Sequence, residues 1–445
     1  CRKLEHQARR AAADSDVKLA WHGQLREYRT LVDRKRTEFW TRTVESLQDS
    51  PRRMWRVIDD LLGRVDCAAA STLLTADDFS RFFEDKVAGV RASTAHAAEP
   101  TFSPAPENCH LSWFPTVSEA DVTAAIQSLP DKQCDLDPIL TWLLKVNARY
   151  LAPFISKLFN TSLLAGQVPS IFKTAYVVPR LKKPDLDADD IKNYRPISNL
   201  PVLTKLLERI VAKHLVDYLK LYGIMPRLQS AYRAGHSTET ALLKVTTDIL
   251  TALDSGDLAS LALLDMSAAF DTVDHNIMLR RLQTSYGIRG VALDWFRSYL
   301  TGRLQYVRYA GRHSATRPLL YGVPQGSVLG PILFILYTAD LAAVIERHGL
   351  LPHLYADDTQ IVGSCRPTDT ASLSFSVESC IADVASWMSA NRLQLNAAKT
   401  ELMWCSTSRR HHQLPANGLS IGQDIIRLDI DVFRRAAANS LHPSE

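Results

Sequence analysis

Apolar positions along the chain follow a helical period in some segments and form short runs in others. Between residues 21 and 32 they recur every three or four positions, which predicts an amphipathic helix. The apolar runs at residues 175–179 and 261–264 have the length of buried strands. A further helix is predicted from Ser237 to Gly256, because serine caps helix N-termini and glycine follows their C-termini. The pattern indicates a fold of mixed helix and strand.

The first 115 residues differ in composition from the rest of the chain. Residues 1–65 are basic and have a helical pattern, for which a solvated surface is favoured over an RNA-binding one. Residues 66–115 are rich in Ala, Ser, Thr and Pro, which predicts a stiff linker and a domain boundary. A capping-box pattern at Ser118 and Asp121 then predicts the first helix of a globular region.

Composition is that of an ordinary globular protein, with 46% hydrophobic and 22% charged residues. The net charge is +4, and residues 1–60 account for it with 14 Lys and Arg against 10 Asp and Glu. Such a small charge neither indicates nor excludes a nucleic-acid partner. The 7 cysteines include no Cys-x-x-Cys pair, which favours a reducing, intracellular compartment. We expect no apolar run to approach the roughly 18 residues of a membrane span, and therefore no membrane partner.

Three aspartates stand at the ends of strand-like runs. Asp357 and Asp358 lie between two short apolar runs, which predicts a hairpin with both acids at its tip. Asp265 directly follows the apolar run at residues 261–264. An isolated Asp-Asp pair is usually a solvated turn. Three converging carboxylates would repel one another, however, so the grouping predicts bound divalent cations, and oxygen ligands favour Mg²⁺ or Mn²⁺ over zinc.

A cluster of cations between residues 180 and 195 is a second candidate site. It follows the predicted strand at residues 175–179 and continues into a turn. A solvated surface is one interpretation, and a grip on phosphate groups is the other, because the cations stand at strand ends. The cluster consists of Arg180, Lys182, Lys183, Lys192 and Arg195.

Seven boxes of the sequence, taken in order and spacing, resemble the reverse transcriptase of non-LTR (LINE-type) retrotransposons. Together they lie between roughly residues 120 and 405, and the set is specific where one box alone would only be suggestive. The boxes are residues 160–183, 193–198, 229–238, 265–275, 322–331, 355–358 and 393–401.

The resemblance implies an α+β right-hand polymerase with fingers and a palm built on an antiparallel sheet. It fades after about residue 405, so we expect an incomplete thumb. The chain begins at Cys1 without the family's endonuclease domain, and is therefore expected to be a fragment of a longer polyprotein. The expected segments are a helical extension (1–65), a linker (66–115), fingers (116–260), a palm (261–405) and a truncated thumb or tail (406–445).

The family's catalytic residues match four positions of this chain. By resemblance, Asp265, Asp357 and Asp358 are the carboxylates that hold two Mg²⁺ ions, with Mn²⁺ as a possible substitute. Lys399 resembles the lysine that protonates the departing pyrophosphate, and a surface lysine is the alternative. The resemblance thus implies a nucleotidyltransferase that works by two-metal phosphoryl transfer.

Other matching positions imply contacts with the nucleotide and template. Phe270 resembles the aromatic gate beside the 2′ position of the incoming sugar, although a core phenylalanine is the alternative. Gln325 resembles a residue that contacts the nascent base pair. Gly322 and Gly326 are expected to let the backbone approach a ligand closely. The alternative is that residues 322–326 form only a turn. Tyr355 resembles a residue that packs beneath the primer end beside the metals. The alternative is a tyrosine that only stabilises the hairpin.

Lys182 and Arg195 resemble cations of the fingers that bind the triphosphate. The activity implied is RNA-directed DNA polymerisation, with an RNA template, a DNA primer or nicked target DNA, and dNTPs as partners. An inactive, truncated relic that binds RNA without polymerising is the alternative, and a carboxylate metal nuclease is a third interpretation. Elements of this kind are expected in a cytoplasmic ribonucleoprotein and in the nucleus.

Overall fold

The structure is a computed structural model that describes residues 16–45, 73–130, 134, 136–137, 139–407, 409–415, 419–421 and 424–426. The chain forms two compact units, residues 1–69 and residues 70–445. In the first unit the described residues form helix α1 (Asp16–Glu45), on which Tyr28 and Phe39 are exposed. The rest of the predicted helical extension lies outside the described residues, as does most of the predicted tail at 406–445.

The second unit alternates helices with short strands. Its described helices are α2 (Ala76–Ser93), α3 (Glu119–Gln127), α4 (Thr141–Val146), α5 (Ala148–Ala165), α6 (Val202–Leu221), α7 (Thr238–Asp254), α8 (His275–Tyr286), α9 (Gly290–Leu300), α10 (Leu329–Tyr337), α11 (Leu341–Glu346) and α12 (Thr370–Ala390). Its described strands are β1 (Thr174–Leu181), β2 (Tyr194–Asn199), β3 (Leu258–Leu264), β4 (Arg303–Tyr309), β5 (Arg312–His313), β6 (Arg317–Leu319), β7 (Leu351–Tyr355), β8 (Asp358–Cys365), β9 (Glu401–Cys405), β10 (Leu419–Ile421) and β11 (Asp424–Ile426).

A sheet with the strand order β7-β8-β3-β9, here called the central sheet, is antiparallel throughout. Strand β3 lies inside it and is covered on both faces. Leu261 packs with Val245 and Ile249 of α7 on one face, and Ala262 and Leu264 join the main core on the other. A strand that is buried on both faces has to be apolar at successive positions, which explains its sequence. The sheet agrees with the expected antiparallel palm of an α+β right-hand polymerase.

A second sheet, here called the outer sheet, has the order β2-β1-β4-β5, with β6 also paired to β4. Strands β1 and β4 run parallel, and the other pairs are antiparallel. Helix α2 covers this sheet through Phe79, which is fully buried and has ring centroids of Tyr194 and Tyr309 at 4.8 and 4.7 Å. The outer sheet therefore has its own small aromatic core.

Helix α2 lies inside the segment expected to be a linker, and corrects that expectation for residues 76–93. The helix begins with a capping box in which the Thr75 hydroxyl accepts from the Asp78 amide while the Asp78 carboxylate accepts from Thr75 N. The Ala-, Ser- and Pro-rich sequence that suggested a linker flanks this helix. Two of the helix ends expected from sequence are confirmed: Ser118 caps α3 by a capping box, and Ser237 caps α7.

One stretch of the described residues, Leu329–Glu346, is apolar and long enough to match a membrane span, with a mean hydropathy of 1.7. The expectation that no apolar run approaches this length is therefore wrong. The stretch is divided between α10 and α11, and 61% of it is buried inside the protein. A helix that is apolar all round is also what a large core requires, and α10 occupies that position.

Candidate active site

The central sheet brings three carboxylates to one of its ends. Asp265 is the first residue after β3, and Asp358 is the first residue of β8. Leu264 faces Thr359 across these two strands, so Asp265 and Asp358 are neighbours at the same end of the pair. Asp357 lies in the turn between β7 and β8, where Tyr355 pairs with Asp358. The predicted hairpin is confirmed, and it carries both acids at its tip.

The electrostatics show that the three aspartates act on one another. Burial raises the pKa of Asp357, and the negative charge of Asp265 raises it further. The pKa of Asp358 is raised by burial and by both of the other carboxylates. Arg195 and Lys399 lower the pKa of both groups, so these two cations lie close enough to stabilise the ionised site. The pKa values of Asp357 and Asp358 stay raised in spite of these two cations, so the carboxylate cluster favours further positive charge.

Asp265 has partners from the segment that precedes β9. The Asn396 side-chain amide donates to Asp265 Oδ2 over 2.8 Å, and the Asn396 backbone amide donates to the Asp265 carbonyl over 2.9 Å. Lys399 Nζ lies 3.3 Å from the same Oδ2 and has a largely exposed side chain. Lys399 is thus placed at the aspartates, as the sequence predicts. Asn396 is a site residue to which sequence reasoning assigned no role.

Within the described part of the chain, no three His, Cys, Asp or Glu side chains are arranged so that they enclose a metal ion as they stand. Asp265 instead faces Lys399 and Asn396. The chemistry of the donor set nevertheless fits a hard cation, since the converging groups are carboxylate oxygens, and burial and the neighbouring carboxylates raise the pKa values of Asp357 and Asp358. An entering cation would compete with the Lys399 ammonium group for Asp265.

Phe270 lies five residues beyond Asp265 and is partly buried. Its ring stacks on Phe334 of α10, with centroids 4.4 Å apart, and its carbonyl accepts from Val323 N over 2.9 Å. These contacts fix the ring beside the Gly-Val-Pro-Gln-Gly turn. The side chain therefore packs on the core on one side while staying partly exposed, an arrangement that suits a gate, and its role remains a prediction.

Gln325 is held by a carboxylate that sequence reasoning did not consider. Its side-chain Nε2 donates to Oδ1 and Oδ2 of Asp271, both at 2.8 Å, and its backbone carbonyl accepts from Ser198 N over 2.7 Å. Burial raises the pKa of Asp271 to about 6, while the hydrogen bond from Gln325 opposes that rise. With Nε2 committed to Asp271, the free acceptor of the Gln325 side chain is Oε1.

The two glycines of this turn lie so close to other backbone atoms that neither position has room for a Cβ. A Cβ at Gly326, where φ is +114°, would lie 2.4 Å from the Ser198 carbonyl oxygen. A Cβ at Gly322, where φ is +83°, would lie 2.7 Å from the Asp271 carbonyl oxygen. Strand β2 and the segment after Phe270 are therefore sufficient to explain both glycines, and the expected approach of a ligand to this backbone stays a prediction.

The predicted cation cluster is gathered at one end of the outer sheet. Arg180 and Arg195 face each other across the β1–β2 pair, and both are exposed. Lys182 Nζ donates to the Lys192 carbonyl over 2.5 Å. Burial lowers the pKa of Lys182, and the charges of Lys86, Lys399 and Arg195 lower it further. Like charges on facing strands destabilise a sheet unless an anion lies between them, and this favours a phosphate group here.

Tyr355 ends β7 beside the acidic turn and is partly buried. Tyr232, which sequence reasoning did not single out, lies near it: burial, Asp357 and Tyr355 together raise the pKa of Tyr232. Tyr232 has a φ of +57°, a conformation that L residues rarely adopt. The segment around Tyr232 therefore forms part of the site wall.

Comparison with known proteins agrees with this geometry. The sequence profile of the reverse transcriptase (RNA-dependent DNA polymerase) family matches residues 181–420, more than half of the chain. The chain is 26% identical over 419 residues, 90% of its length and 46% of the relative's, to the "Probable RNA-directed DNA polymerase from transposon BS" of Drosophila melanogaster. It is 35% identical over 206 residues, 46% of its length and 22% of the relative's, to the "Probable RNA-directed DNA polymerase from transposon X-element" of the same organism.

A third relative is the "RNA-directed DNA polymerase from mobile element jockey" of Drosophila melanogaster, with 30% identity over 214 residues, 47% of this chain and 23% of that protein. The chain spans less than half the length of each of these curated relatives. The family profile covers Lys182 and Arg195 of the outer sheet, the central sheet and its three aspartates. The chain therefore belongs to the reverse transcriptase family, and to its non-LTR, LINE-type members from transposable elements.

Proposed function

We infer that this chain is the polymerase part of an RNA-directed DNA polymerase that extends a DNA primer on an RNA template with dNTPs. The observation that carries this proposal is the convergence of Asp265, Asp357 and Asp358 at one end of the central sheet. The family membership supports the reaction class. The template RNA, a primer or nicked target DNA, and dNTPs are the partners that the reaction requires.

The three aspartates are the residues that would hold two Mg²⁺ ions. When bound, these ions would activate the primer 3′-hydroxyl and neutralise charge on the pyrophosphate that leaves. Mn²⁺ has the same preference for oxygen ligands and could replace Mg²⁺. The contribution of the chain is to position its carboxylates and to keep them ionised, which Arg195 and Lys399 favour.

The other side chains would bind and orient the nucleotide. Arg195 and Lys182, at the end of the outer sheet, would bind the triphosphate through charge-assisted hydrogen bonds. Gln325, oriented by Asp271, would offer its free Oε1 to the nascent pair. Phe270 would crowd a ribose 2′-hydroxyl. Tyr355 would lie beneath the primer end.

Lys399 has two roles in this proposal that belong to different moments. Before substrates bind, its ammonium group neutralises part of the charge on Asp265. During the reaction it would give a proton to the departing pyrophosphate as a general acid. A lysine that is largely exposed beside a carboxylate is free to move between these positions. Removal of the Lys399 side chain would therefore strengthen cation binding at Asp265 before substrates bind, and would slow the reaction.

The place of action follows from the substrates. An enzyme that copies RNA and extends DNA would associate with its RNA in a cytoplasmic ribonucleoprotein and use its DNA target in the nucleus. No membrane partner is part of this proposal.

The experiment that tests this function is incorporation of labelled dTMP on an oligo(dT) primer annealed to poly(rA), with Mg²⁺. Incorporation should require the primer, the RNA template and the complementary dNTP, and should stop with EDTA. Asp265→Asn is the matched control, because it keeps the size and the acceptor oxygen of the side chain. Nucleic-acid cleavage without incorporation would instead support a metal nuclease.

A further inference from the structure

A short segment between α6 and α7 runs beside the acidic hairpin. Leu354 N donates to the Leu228 carbonyl over 3.0 Å, and Ser230 N donates to the Leu354 carbonyl over 2.9 Å. Gln229 forms an isolated parallel bridge with Leu354. The segment thus continues the central sheet past β7 and places the Gln229 side chain at the turn that carries Asp357.

Gln229 is a polar residue with only 1% of its surface exposed, and the backbone of the turn satisfies its side chain. Its Oε1 accepts from Ala356 N over 2.9 Å, and its Nε2 donates to the Ala356 carbonyl over 3.3 Å. Its Oε1 also accepts from Ala231 N over 3.0 Å. One side-chain amide therefore bonds both polar backbone groups of Ala356, as a neighbouring strand would.

Ala356 needs this support because its backbone is strained. It has a φ of +56°, a left-handed conformation that L residues rarely adopt because the Cβ comes too close to the backbone. The adjacent residues Tyr355 and Asp358 are fixed by pairing with each other, whereas Ala356 and Asp357 form the loop between them. Without an external partner, Ala356 could relax toward a commoner conformation, and the carboxylate of Asp357 would move with it.

We propose that Gln229 is a positioning residue for catalysis: it holds Ala356 in its strained conformation and thereby aims the Asp357 carboxylate into the aspartate cluster. The inference deepens the proposed function and rests on it. Gln229 touches neither nucleotide nor metal in this role. It acts through the turn, so its loss should slow the chemical step and leave substrate binding nearly unchanged.

The test uses Gln229→Met in the full chain, since methionine has a similar length and cannot make these hydrogen bonds. The value of kcat for dTMP incorporation should fall about 10- to 100-fold, as expected when a reacting group is misplaced by about 1 Å. The KM for dTTP and the Kd for the primed template should change by less than about twofold. Ser156→Ala is the matched control, because it removes a buried side-chain hydrogen bond, to the Val117 carbonyl, outside the site.

Hydrogen exchange supplies a measurement that does not depend on activity. The peptide that contains residues 355–358 should exchange faster in Gln229→Met than in the wild type, and should be unchanged in Ser156→Ala. Adding Ala356→Gly to Gln229→Met should recover several-fold of the lost kcat, because glycine adopts a positive φ without strain. Failure of glycine to recover any activity would contradict the argument from strain.

The inference is overturned if Gln229→Met keeps kcat within about twofold of the wild type. It is also overturned if kcat falls equally in Ser156→Ala, which would indicate general destabilisation, or if exchange at the turn is unchanged. A wild-type chain that incorporates no nucleotide would contradict the proposed function instead. In that case the exchange rates would still show whether Gln229 holds the turn.

Discussion

The protonation state of Asp271 controls how the Gln325 side chain is oriented, so this orientation depends on pH. Its pKa is raised by burial to about 6, so it is ionised at neutral pH and accepts from Gln325 Nε2. Because the folded protein holds this proton more tightly than the unfolded chain, the group stabilises the fold at low pH. That contribution is lost as the pH rises through about 6.

The first prediction concerns this carboxyl group. Protonation of Asp271 removes the charge that orients the Gln325 amide, so the KM for dNTP should rise as the pH falls below about 6. In Asp271→Asn the side chain cannot titrate, and this step in the pH profile should disappear. Steady-state kinetics between about pH 5.5 and 8 would measure it, and an identical step in the variant would exclude Asp271 as its source.

The second prediction separates the two roles of Phe270. Phe270→Ala should raise the use of ribonucleotides relative to dNTPs, because the ring would no longer crowd the 2′-hydroxyl. Phe334→Leu is the matched control, since Phe334 is the fully buried partner in the stack. It should lower stability without changing the ratio. Single-nucleotide incorporation with UTP and dTTP gives the ratio. An unchanged ratio in Phe270→Ala would show that Phe270 is a core residue and does not discriminate between sugars.

The third prediction concerns Lys399, which competes with any cation for Asp265 Oδ2. Lys399→Met should tighten Mn²⁺ binding in the absence of nucleotide, because the competing ammonium group is gone. The same change should lower kcat if the lysine protonates pyrophosphate. Electron paramagnetic resonance of free Mn²⁺ would report the binding. Weaker Mn²⁺ binding in the variant would show that the lysine does not block the carboxylate.

At the scale of elements, the sequence predicts the strands, turns and helix caps that depend on a few neighbouring residues. The apolar run of β3, the hairpin that carries Asp357, and the caps at Ser118 and Ser237 are all short-range features, and the structure confirms them. Composition predicts a linker where helix α2 lies, because Ala, Ser and Pro dominate residues 66–115 as a whole. The Thr75 capping box and the apolar Phe79 inside that segment were the signals that could have revealed it.

The fourth prediction follows from the position of α2. Phe79→Ala should lower the free energy of unfolding by about 3 to 5 kcal/mol, because it empties the aromatic core of the outer sheet. Phe82→Ala, on the same helix and only half-buried, should cost less. Urea denaturation of both variants would measure the difference. Equal and small losses would show that the segment behaves as the linker first expected.

At the scale of the whole molecule, the contacts that complete the site join distant parts of the chain. Gln325 and Asp271 are 54 residues apart, Gln229 and Ala356 are 127 apart, and Asn396 and Asp265 are 131 apart. Pairs of this kind have no local signature, so residue patterns alone could not identify them. The resemblance implies which residues are candidates for catalysis, and the fold shows which other residues contact them.

The fifth prediction concerns Asp357, which belongs to this whole-molecule assembly. Its pKa is raised above the usual value by burial and by Asp265, so its ionised form destabilises the folded state. Asp357→Asn removes that charge and should leave the melting temperature equal or higher at pH 8. The gain should vanish at low pH, where the wild-type carboxyl is protonated.

Primer extension by the wild type and Asp357→Asn, side by side on a defined RNA template with Mg²⁺ and dNTPs, tests the central claim most directly. The wild type should extend the primer, and the variant should not, although it melts at the same temperature or higher and still binds the primed template. Extension by the variant at the wild-type rate would contradict the assignment of the aspartates. A wild-type chain that folds and binds the template without extending the primer would contradict the proposed polymerase function.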